Sequence, residues 1–276
     1  CRLIIIESKV GLYFFHRKYI NIKKQDKADE LIFSLKQNLN VYIILLNLLK
    51  QLMKKVIIIF FFLSLISEAQ EYEKAPNIIL IMVDDLGAEC LNSYGGTSYE
   101  TPILNKMSEN GMQFENAHSM PICTPSRVKL MTGKTNKKNH VEFAYLDPKE
   151  KTFSQVLKSA GYETLIAGKW QLGQDKKLPK YFGFDEHILW QLNTRGRDST
   201  GLDKRYSNPR LVKNGITYEE NEGRFSTDMI VDYVNDFIER KKNKSFLVYY
   251  PMILTHCPFV PTPHSKDWDS NDMGSK

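Results

Sequence analysis

The sequence predicts an α/β fold in which helices cover both faces of a mostly parallel sheet. Three short apolar runs rich in β-branched and aromatic residues, at 77–83, 162–167 and 245–250, are typical of strands buried on both faces. Segments with helical periodicity alternate with these runs along the chain. Ligands bind such sheets beyond the carboxyl ends of the strands, so the polar side chains after each run are the first candidates for a functional site.

Capping residues and apolar periodicity between these runs predict four helices, a further short strand and one hairpin. Phe153, Val156 and Leu157 share one face of the third helix, and we expect that face to be buried. Asn214-Gly215 lies between two short runs of strand-forming residues, which is the pattern of a tight hairpin. The predicted helices cover residues 102–110, 126–131, 153–160 and 226–242, the further strand covers 112–117, and the hairpin covers 211–218.

Residues 53–69 have the pattern of a secretory signal peptide. Met53 and two lysines precede an apolar core of about 11 residues, and small side chains at Ser67 and Ala69 suit a leader-peptidase site before Gln70. The core is shorter than the roughly 20 residues that a membrane-spanning helix needs. We therefore expect export to the periplasm or the extracellular space, with membrane contact only during export.

The first 52 residues show no convincing organisation in the sequence. They hold a lysine-rich stretch followed by an apolar run at 41–49. We expect residues 1–52 to lie upstream of the natural start or to be unstructured. If they are translated, a membrane hairpin formed by the two apolar runs is the alternative. Residues 70–276 then form the mature catalytic domain.

The basic charge of the chain belongs to its N-terminal part. The whole sequence carries a net charge of +6, and residues 1–69 hold 11 basic and 5 acidic side chains, so residues 70–276 are neutral overall. Proteins that bind nucleic acids through charge need a basic surface. We therefore expect no nucleic-acid partner.

Two adjacent carboxylates, Asp84 and Asp85, follow the first predicted strand. Adjacent carboxylates repel each other unless a cation or hydrogen-bond donors lie between them. A hard divalent cation with oxygen ligands relieves that repulsion, whereas capping or turn formation is the alternative role. The pair is therefore a candidate metal site at the carboxyl edge of the sheet.

The most informative motif begins at Cys123. Residues 123–133 read Cys-Thr-Pro-Ser-Arg-Val-Lys-Leu-Met-Thr-Gly, and this run resembles the formylglycine motif of the sulfatase family. The resemblance implies that a formylglycine-generating maturation enzyme oxidises Cys123 to formylglycine, whose hydrated aldehyde is the nucleophile. It also implies that Arg127 holds this group and that Asp84 and Asp85 bind one Ca²⁺ together with its oxygen. A small buried cysteine before a helix starting near Ser126 is the alternative.

Residues 161–173 resemble a second motif of the same family, in which a lysine contacts sulfate. Lys169 takes that position. Gln171 stands where the family has a histidine that hydrogen-bonds the formylglycine hydroxyl and assists its deprotonation. A glutamine orients a hydroxyl but accepts no proton near neutral pH, so this departure puts the release of sulfate in question. His140 is a candidate substitute, although its lysine-rich surroundings favour a surface loop.

Residues 255–261 resemble the family's later histidine segment, which implies that His256 contacts sulfate and assists the departing oxygen. In the family, two further metal ligands and a second sulfate-contacting lysine follow this segment, but the sequence ends at Lys276. We expect a catalytic domain that is incomplete at its C-terminus and inactive by itself. Three acidic residues follow too soon to replace those ligands: Asp267, Asp269 and Asp272.

Together, the motifs within residues 75–276 imply the alkaline-phosphatase-like sulfatase fold and the hydrolysis of sulfate esters. The expected substrate is a sulfated carbohydrate or an aryl sulfate, in a pocket shaped partly by the polar stretch 193–224. Two alternatives stay open. One is a phosphonate monoester hydrolase or phosphodiesterase of the same superfamily, and the other is a non-catalytic protein that binds sulfated glycans, which Gln171 favours.

If Cys123 is modified, Cys90 and Cys257 are the cysteines that remain in the mature part. An oxidising compartment permits a disulfide between them. Two free, buried thiols are the default expectation, because unpaired cysteine is among the most buried residue types.

Overall fold

The computed structural model describes residues 7–8, 11–12, 25–66, 75–193, 203–219 and 221–269. Two compact units divide the chain, Cys1–Tyr72 and Glu73–Lys276. In the first unit, β1 (Glu7–Ser8) pairs antiparallel with β2 (Gly11–Leu12), and α1 (Gln25–Ile66) is one helix of 42 residues. Among the described residues, no helix combines the length and the apolarity needed to cross a membrane.

Residues 25–52 lie in the continuous helix α1, and the expectation that residues 1–52 are upstream of the natural start or unstructured stays a prediction. Leu, Lys, Gln and Ala are strong helix formers, and residues 25–66 contain no glycine or proline to interrupt the helix. The first part of the predicted signal peptide, through Ile66, lies in this helix. Its cleavage segment, Ser67 to Gln70, falls outside the described residues, so the signal peptide stays a prediction.

The second unit is built on a six-stranded sheet with the order β3-β8-β4-β5-β6-β7. The first four strands in this order run parallel, whereas β6 and β7 form an antiparallel hairpin at one edge. The three strands predicted from apolar runs are neighbours in space. The strands are β3 (Ile78–Met82), β4 (Glu163–Lys169), β5 (Glu186–Trp190), β6 (Leu211–Lys213), β7 (Ile216–Tyr218) and β8 (Phe246–Pro251).

Six helices accompany this sheet, and the predicted helix–sheet–helix layering is confirmed. Alternate residues of the parallel strands enter two separate hydrophobic clusters. Ile166 packs in the cluster that contains Val128 of α3, whereas Leu165 packs with Phe237 of α7. The helices are α2 (Pro102–Asn110), α3 (Cys123–Thr132), α4 (Asn136–Asn139), α5 (Phe153–Ser159), α6 (Leu178–Tyr181) and α7 (Ser226–Lys241).

The structure corrects two further predictions. Residues 112–117 do not form a strand; side chains from elsewhere satisfy part of that backbone, with Tyr94 Oη donating to the Phe114 carbonyl at 2.8 Å. Val156 is 51% exposed, because α5 has only seven residues and turns just one narrow face to the core. A capping box begins α5, in which the Thr152 side chain accepts from the Gln155 backbone N–H and the Gln155 side chain accepts from the Thr152 backbone N–H.

Strand β5 was not predicted, because a histidine interrupts its short apolar run. His187 is buried, and its Nε2 accepts a hydrogen bond from the Gly215 backbone N–H at 3.0 Å. Its own backbone N–H donates to Asn214 Oδ1 at 2.7 Å. The histidine therefore joins β5 to the β6–β7 turn. Burial lowers the pKa of His187 from 6.5 to about 4.

This buried histidine predicts a loss of stability in acid. Between the unfolded pKa of 6.5 and the folded pKa of about 4, only the unfolded chain takes up the proton, so stability falls as pH falls. We expect the His187 contribution to drop by on the order of 2 kcal/mol between about pH 7 and pH 5. Urea unfolding of wild type and His187→Gln at both pH values measures it, with exposed His140→Gln as the control. Equal pH dependence of wild type and His187→Gln would contradict the assignment.

Candidate active site

The carboxyl ends of β3, β8 and β4 bring the predicted site residues to one edge of the sheet. Backbone hydrogen bonds join the segments that follow β3 and β8: Asp84 N–H donates to the Leu254 carbonyl at 3.1 Å, and Thr255 N–H donates to the Asp84 carbonyl at 2.7 Å. Gly168 has a φ of 127°, and a Cβ there would lie 2.0 Å from the Pro251 carbonyl oxygen. Glycine is therefore needed where β4 passes β8 at the site.

A buried ionic cluster lies at this edge. Asp84 is 3% exposed, and its Oδ2 accepts a hydrogen bond from Lys169 Nζ at 2.5 Å. Its Oδ1 lies 3.6 Å from Arg127 Nη2. Arg127 Nη1 donates to the Lys169 backbone carbonyl at 2.9 Å, so the three residues form one unit. Two cations face one carboxylate, and the cluster carries an excess of one positive charge.

Arg127 has hydrogen-bonding capacity that its described neighbours do not use. The side chain is 1% exposed, yet Nε and Nη2 make no hydrogen bond to any residue that the structure describes. Buried guanidinium groups are normally paired, because an unsatisfied buried donor costs roughly 1–3 kcal/mol or more. The free donors and the excess charge together suit an anionic group.

Cys123 opens α3, the helix that carries Arg127. The structure corrects the expected helix start from Ser126 to Cys123, since Pro125 lies in the first turn, where its missing N–H costs no hydrogen bond. Arg127 is four positions after Cys123, so both lie on one face of α3. The thiol is free and half-buried at the positive end of the helix. Of the other described cysteines, Cys90 and Cys257 are likewise free and unpaired.

Gln171 lies two residues beyond β4, and its buried side chain has a polar atom that is unpaired in the described part of the chain. Its backbone φ is 54°, in the left-handed region, and its side chain is 6% exposed. Its Oε1 is buried with no hydrogen-bond partner among the described residues. The amide is thus placed to accept a hydrogen bond from a hydroxyl. His140 is exposed at the end of α4, in agreement with the surface role expected for it.

The two adjacent aspartates have different surroundings. Asp84 faces inward to the cations, whereas the side chain of Asp85 is 60% exposed and its Oδ2 lies 3.6 Å from His256 Nε2. No group of three or more His, Cys, Asp or Glu side chains in the described part of the chain is arranged to hold a metal ion. Asp267 and Asp269 are exposed in a loop, and Asp272 lies outside the described residues.

His256 is held by residues that the sequence did not single out. Arg205 Nη1 lies 2.7 Å from His256 Nδ1, and the guanidinium stacks on the Trp190 ring at 4.7 Å from its centroid. Tyr206 Oη donates to the His256 carbonyl. Arg205 comes from the polar stretch 193–224, whose length was the sole signal for a role in the site. Neither a motif nor a periodic pattern marked it.

Comparison with known proteins decides the family. The sequence profile of the Sulfatase family matches residues 76–273, which is more than half of the chain. The chain belongs to the sulfatase family. The relatives it resembles are named sulfatases and arylsulfatases. The predicted family and the alkaline-phosphatase-like α/β fold are therefore confirmed.

Among the sulfatases it resembles, an N-acetylglucosamine-6-O-sulfatase of Bacteroides thetaiotaomicron is 30% identical over 70% of this chain and 33% of its own length. A human N-acetylgalactosamine-6-sulfatase is 32% identical over 66% of this chain and 40% of its own length. A protein solved in complex with its substrate D-glucosamine-2-N,6-O-disulfate matches with a TM-score of 0.58 and 30% identity, over 69% of this chain and 36% of that structure. The chain thus spans about a third to two fifths of the length of these relatives.

Proposed function

We propose that the complete gene product hydrolyses sulfate esters at the edge of the sheet where Asp84, Arg127 and Lys169 meet. The unused donors of buried Arg127 carry this proposal. A sulfuryl group is an anion with oxygens that accept several hydrogen bonds, and it would neutralise the excess positive charge of the cluster. Donors held in place before the reaction stabilise charge on the sulfuryl oxygens as it develops.

The proposed nucleophile derives from Cys123, after oxidation by a formylglycine-generating enzyme. Formylglycine would supply a hydroxyl of its hydrated aldehyde, which no encoded side chain offers. Arg127, one turn further along α3, would orient that group through Nε and Nη2. The N-terminus of α3 favours negative charge at the same position. Gln171 Oε1 would accept a hydrogen bond from the hydroxyl and fix its direction.

Asp84 and Asp85 have the type of side chain that binds the proposed Ca²⁺, but two carboxylates are too few ligands to hold it alone. Calcium takes six to eight oxygen ligands, and Asp84 and Asp85 supply carboxylates of the right type. In the structure, Lys169 occupies one side of Asp84 by hydrogen-bonding Oδ2. Bound calcium would add positive charge beside the sulfuryl oxygens.

Because these two carboxylates are too few to hold calcium, the 276-residue chain is expected to give little or no turnover. A sulfate-release assay measures this, and robust turnover would contradict the shortage of calcium ligands.

His256 is the proposed hydrogen-bond donor to the departing oxygen. Its ring is partly exposed, and its Nε2 points toward the region after β3, 3.6 Å from Asp85 Oδ2. Lys169 and His256 are the proposed contacts to sulfate, since Lys169 ends β4 and His256 follows the adjacent strand β8. Their positions are joined through the Asp84 and Thr255 backbone.

We propose a sulfated carbohydrate as the substrate. Support comes from relatives at about 30% identity, including a hexosamine 6-sulfatase and a protein solved with a disulfated glucosamine as its substrate. Turnover of glucosamine 6-sulfate, an aryl sulfate and a phosphodiester by the complete, matured protein tests this. We expect the sugar sulfate to have the highest kcat/KM. Preferred cleavage of the phosphodiester would favour the alternative hydrolase class, and no cleavage of any of the three would contradict the proposal.

Binding without catalysis is a second candidate function, and Gln171 supports it. A buried amide at Gln171, in place of a base, lets the site hold a sulfate group but does not itself remove the proton from the hydrated aldehyde. Retention of the complete protein on heparin or chondroitin sulfate, without sulfate release, would favour this candidate.

We also propose export through the signal-peptide pattern at 53–69, which N-terminal sequencing of the secreted protein tests.

A further inference from the structure

We propose that Arg205 is a positioning residue that fixes the tautomer and the ring direction of His256. The inference rests on the proposed function of His256 as a donor to the departing oxygen. Arg205 lies in the polar stretch, 51 residues before His256 in sequence, yet its Nη1 is 2.7 Å from His256 Nδ1. Nη1 also donates to the Cys257 backbone carbonyl.

The direction of the Arg205–His256 hydrogen bond follows from the chemistry of the two groups. A guanidinium has five N–H donors and no acceptor. We take Arg205 Nη1 as the donor across the 2.7 Å contact, so His256 Nδ1 accepts with its lone pair. In the neutral ring the proton then resides on Nε2. That nitrogen is the one near Asp85, at the front of the site.

A competing arrangement exists within the same contacts. His256 Nδ1 lies 2.6 Å from the Cys257 carbonyl oxygen, which would accept an N–H from Nδ1 in the opposite tautomer. That arrangement would leave Nε2 as an acceptor and unable to donate to the departing oxygen. The Cys257 carbonyl already accepts from Arg205. In the proposed tautomer two acceptors, Nδ1 and the Cys257 carbonyl, lie 2.6 Å apart, and Arg205 Nη1 offsets their repulsion by donating to both. The opposite tautomer keeps the bond from Nδ1 to the Cys257 carbonyl and loses its hydrogen bond to Arg205.

Arg205 itself is held by an ion pair with Asp203 and by stacking on Trp190, so it can act as a fixed support. Asp203 accepts from Arg205 Nε at 2.9 Å and from Nη2 at 2.5 Å. The guanidinium packs over the buried Trp190 ring at the end of β5. The side chain is 13% exposed. A paired, stacked guanidinium loses little further freedom when it bonds His256.

The direct test is the tautomer of His256, read from imidazole ¹⁵N–¹H correlation spectra of the ¹⁵N-histidine-labelled 276-residue chain. At about pH 8 imidazole is neutral. We expect wild-type His256 to carry its proton on Nε2 alone, and Arg205→Met to give a mixture of both tautomers. Arg224→Met, an exposed arginine of the same stretch, serves as the matched control and should leave the spectrum unchanged. A proton on Nδ1 in wild type overturns the proposal, even if Arg205→Met fails to fold.

Kinetics of the complete, matured protein extend the test. Because Arg205 acts through His256, Arg205→Met should lower kcat by about 10- to 100-fold for an alkyl or sugar sulfate, with little change in KM. The loss should be smaller for an aryl sulfate whose leaving group needs no donor, and Arg205→Lys should restore part of kcat. An equal loss for both substrates would overturn the positioning role. Absence of all turnover in wild type would instead contradict the proposed function of the protein. It would not affect the assignment of the His256 tautomer, which is measured separately.

Discussion

Replacement of Cys123 by alanine is expected to abolish sulfate-ester hydrolysis by the complete, matured protein. Alanine offers neither a thiol to oxidise nor an oxygen to attack sulfur, and loss of a nucleophile lowers kcat on the order of 10⁵-fold or more. Stability should change little, because the Cys123 side chain is half-buried and makes no disulfide. Initial rates of sulfate release, with thermal unfolding measured in parallel, check both expectations.

The matched control for Cys123→Ala is Cys90→Ala. Cys90 is also free and half-buried, but it lies in a short turn after β3 and has no role in the proposed reaction. We expect its substitution to leave kcat and KM within a factor of two or so of wild type, as for a site away from the chemistry. Full activity of Cys123→Ala would show that another group attacks sulfur.

Lys169→Met is expected to weaken both the fold and the reaction. Lys169 is 2% exposed and hydrogen-bonds buried Asp84 at 2.5 Å. Removing one partner of a buried ion pair costs about 3–5 kcal/mol when no other charge compensates the remaining partner. Arg127 stays 3.6 Å from Asp84, which places the expected loss at the lower end of that range. Removal of a preorganised donor should also raise the reaction barrier by about 2.7–4 kcal/mol.

A surface ion pair provides the control for Lys169. Lys158 pairs with Asp185, and both side chains are about a third exposed. Lys158→Met should cost less than about 1 kcal/mol, because water screens such pairs. The double variant Asp84→Asn/Lys169→Met should be no more stable than Lys169→Met, since Asp84→Asn removes the counter-charge of buried Arg127. Urea unfolding at neutral pH gives all three values. Equal losses for Lys169→Met and Lys158→Met would contradict the buried ion pair.

The parallel part of the sheet could be predicted from sequence because strands buried on both faces are short, apolar and rich in β-branched residues. Strands β4 and β8 are of this kind, but β3 is not: it is apolar and was found for that reason, yet it lies at the end of the strand order with Ile79 and Ile81 about half exposed, which corrects the expectation that it is buried on both faces. Strand β5 is not, because His187 interrupts it and is satisfied only by the distant hairpin turn. The long helix α1 was missed where its sequence mixes polar and apolar residues without a clear stripe.

In the candidate site, too, local sequence patterns predict where individual residues lie but not which distant residues contact each other. Asp84, Lys169 and His256 follow predicted strands, so sheet topology alone places them at one edge. The pairing of Asp84 with Lys169 joins residues 85 positions apart, and neither local pattern indicates it. The contact between Arg205 and His256 is still harder to predict, because Arg205 lies in a loop whose sequence shows no periodic pattern. Long-range contacts of this kind depend on the packed fold.

The central claim is that Cys123 becomes the group that attacks an esterified sulfur beside Arg127 and Lys169. Mass spectrometry of the peptide containing Cys123, from the complete protein co-expressed with a formylglycine-generating enzyme, tests it most directly. We expect loss of the thiol and gain of an aldehyde, in proportion to the measured sulfate-ester turnover. An active preparation in which Cys123 remains an unmodified thiol would contradict the claim.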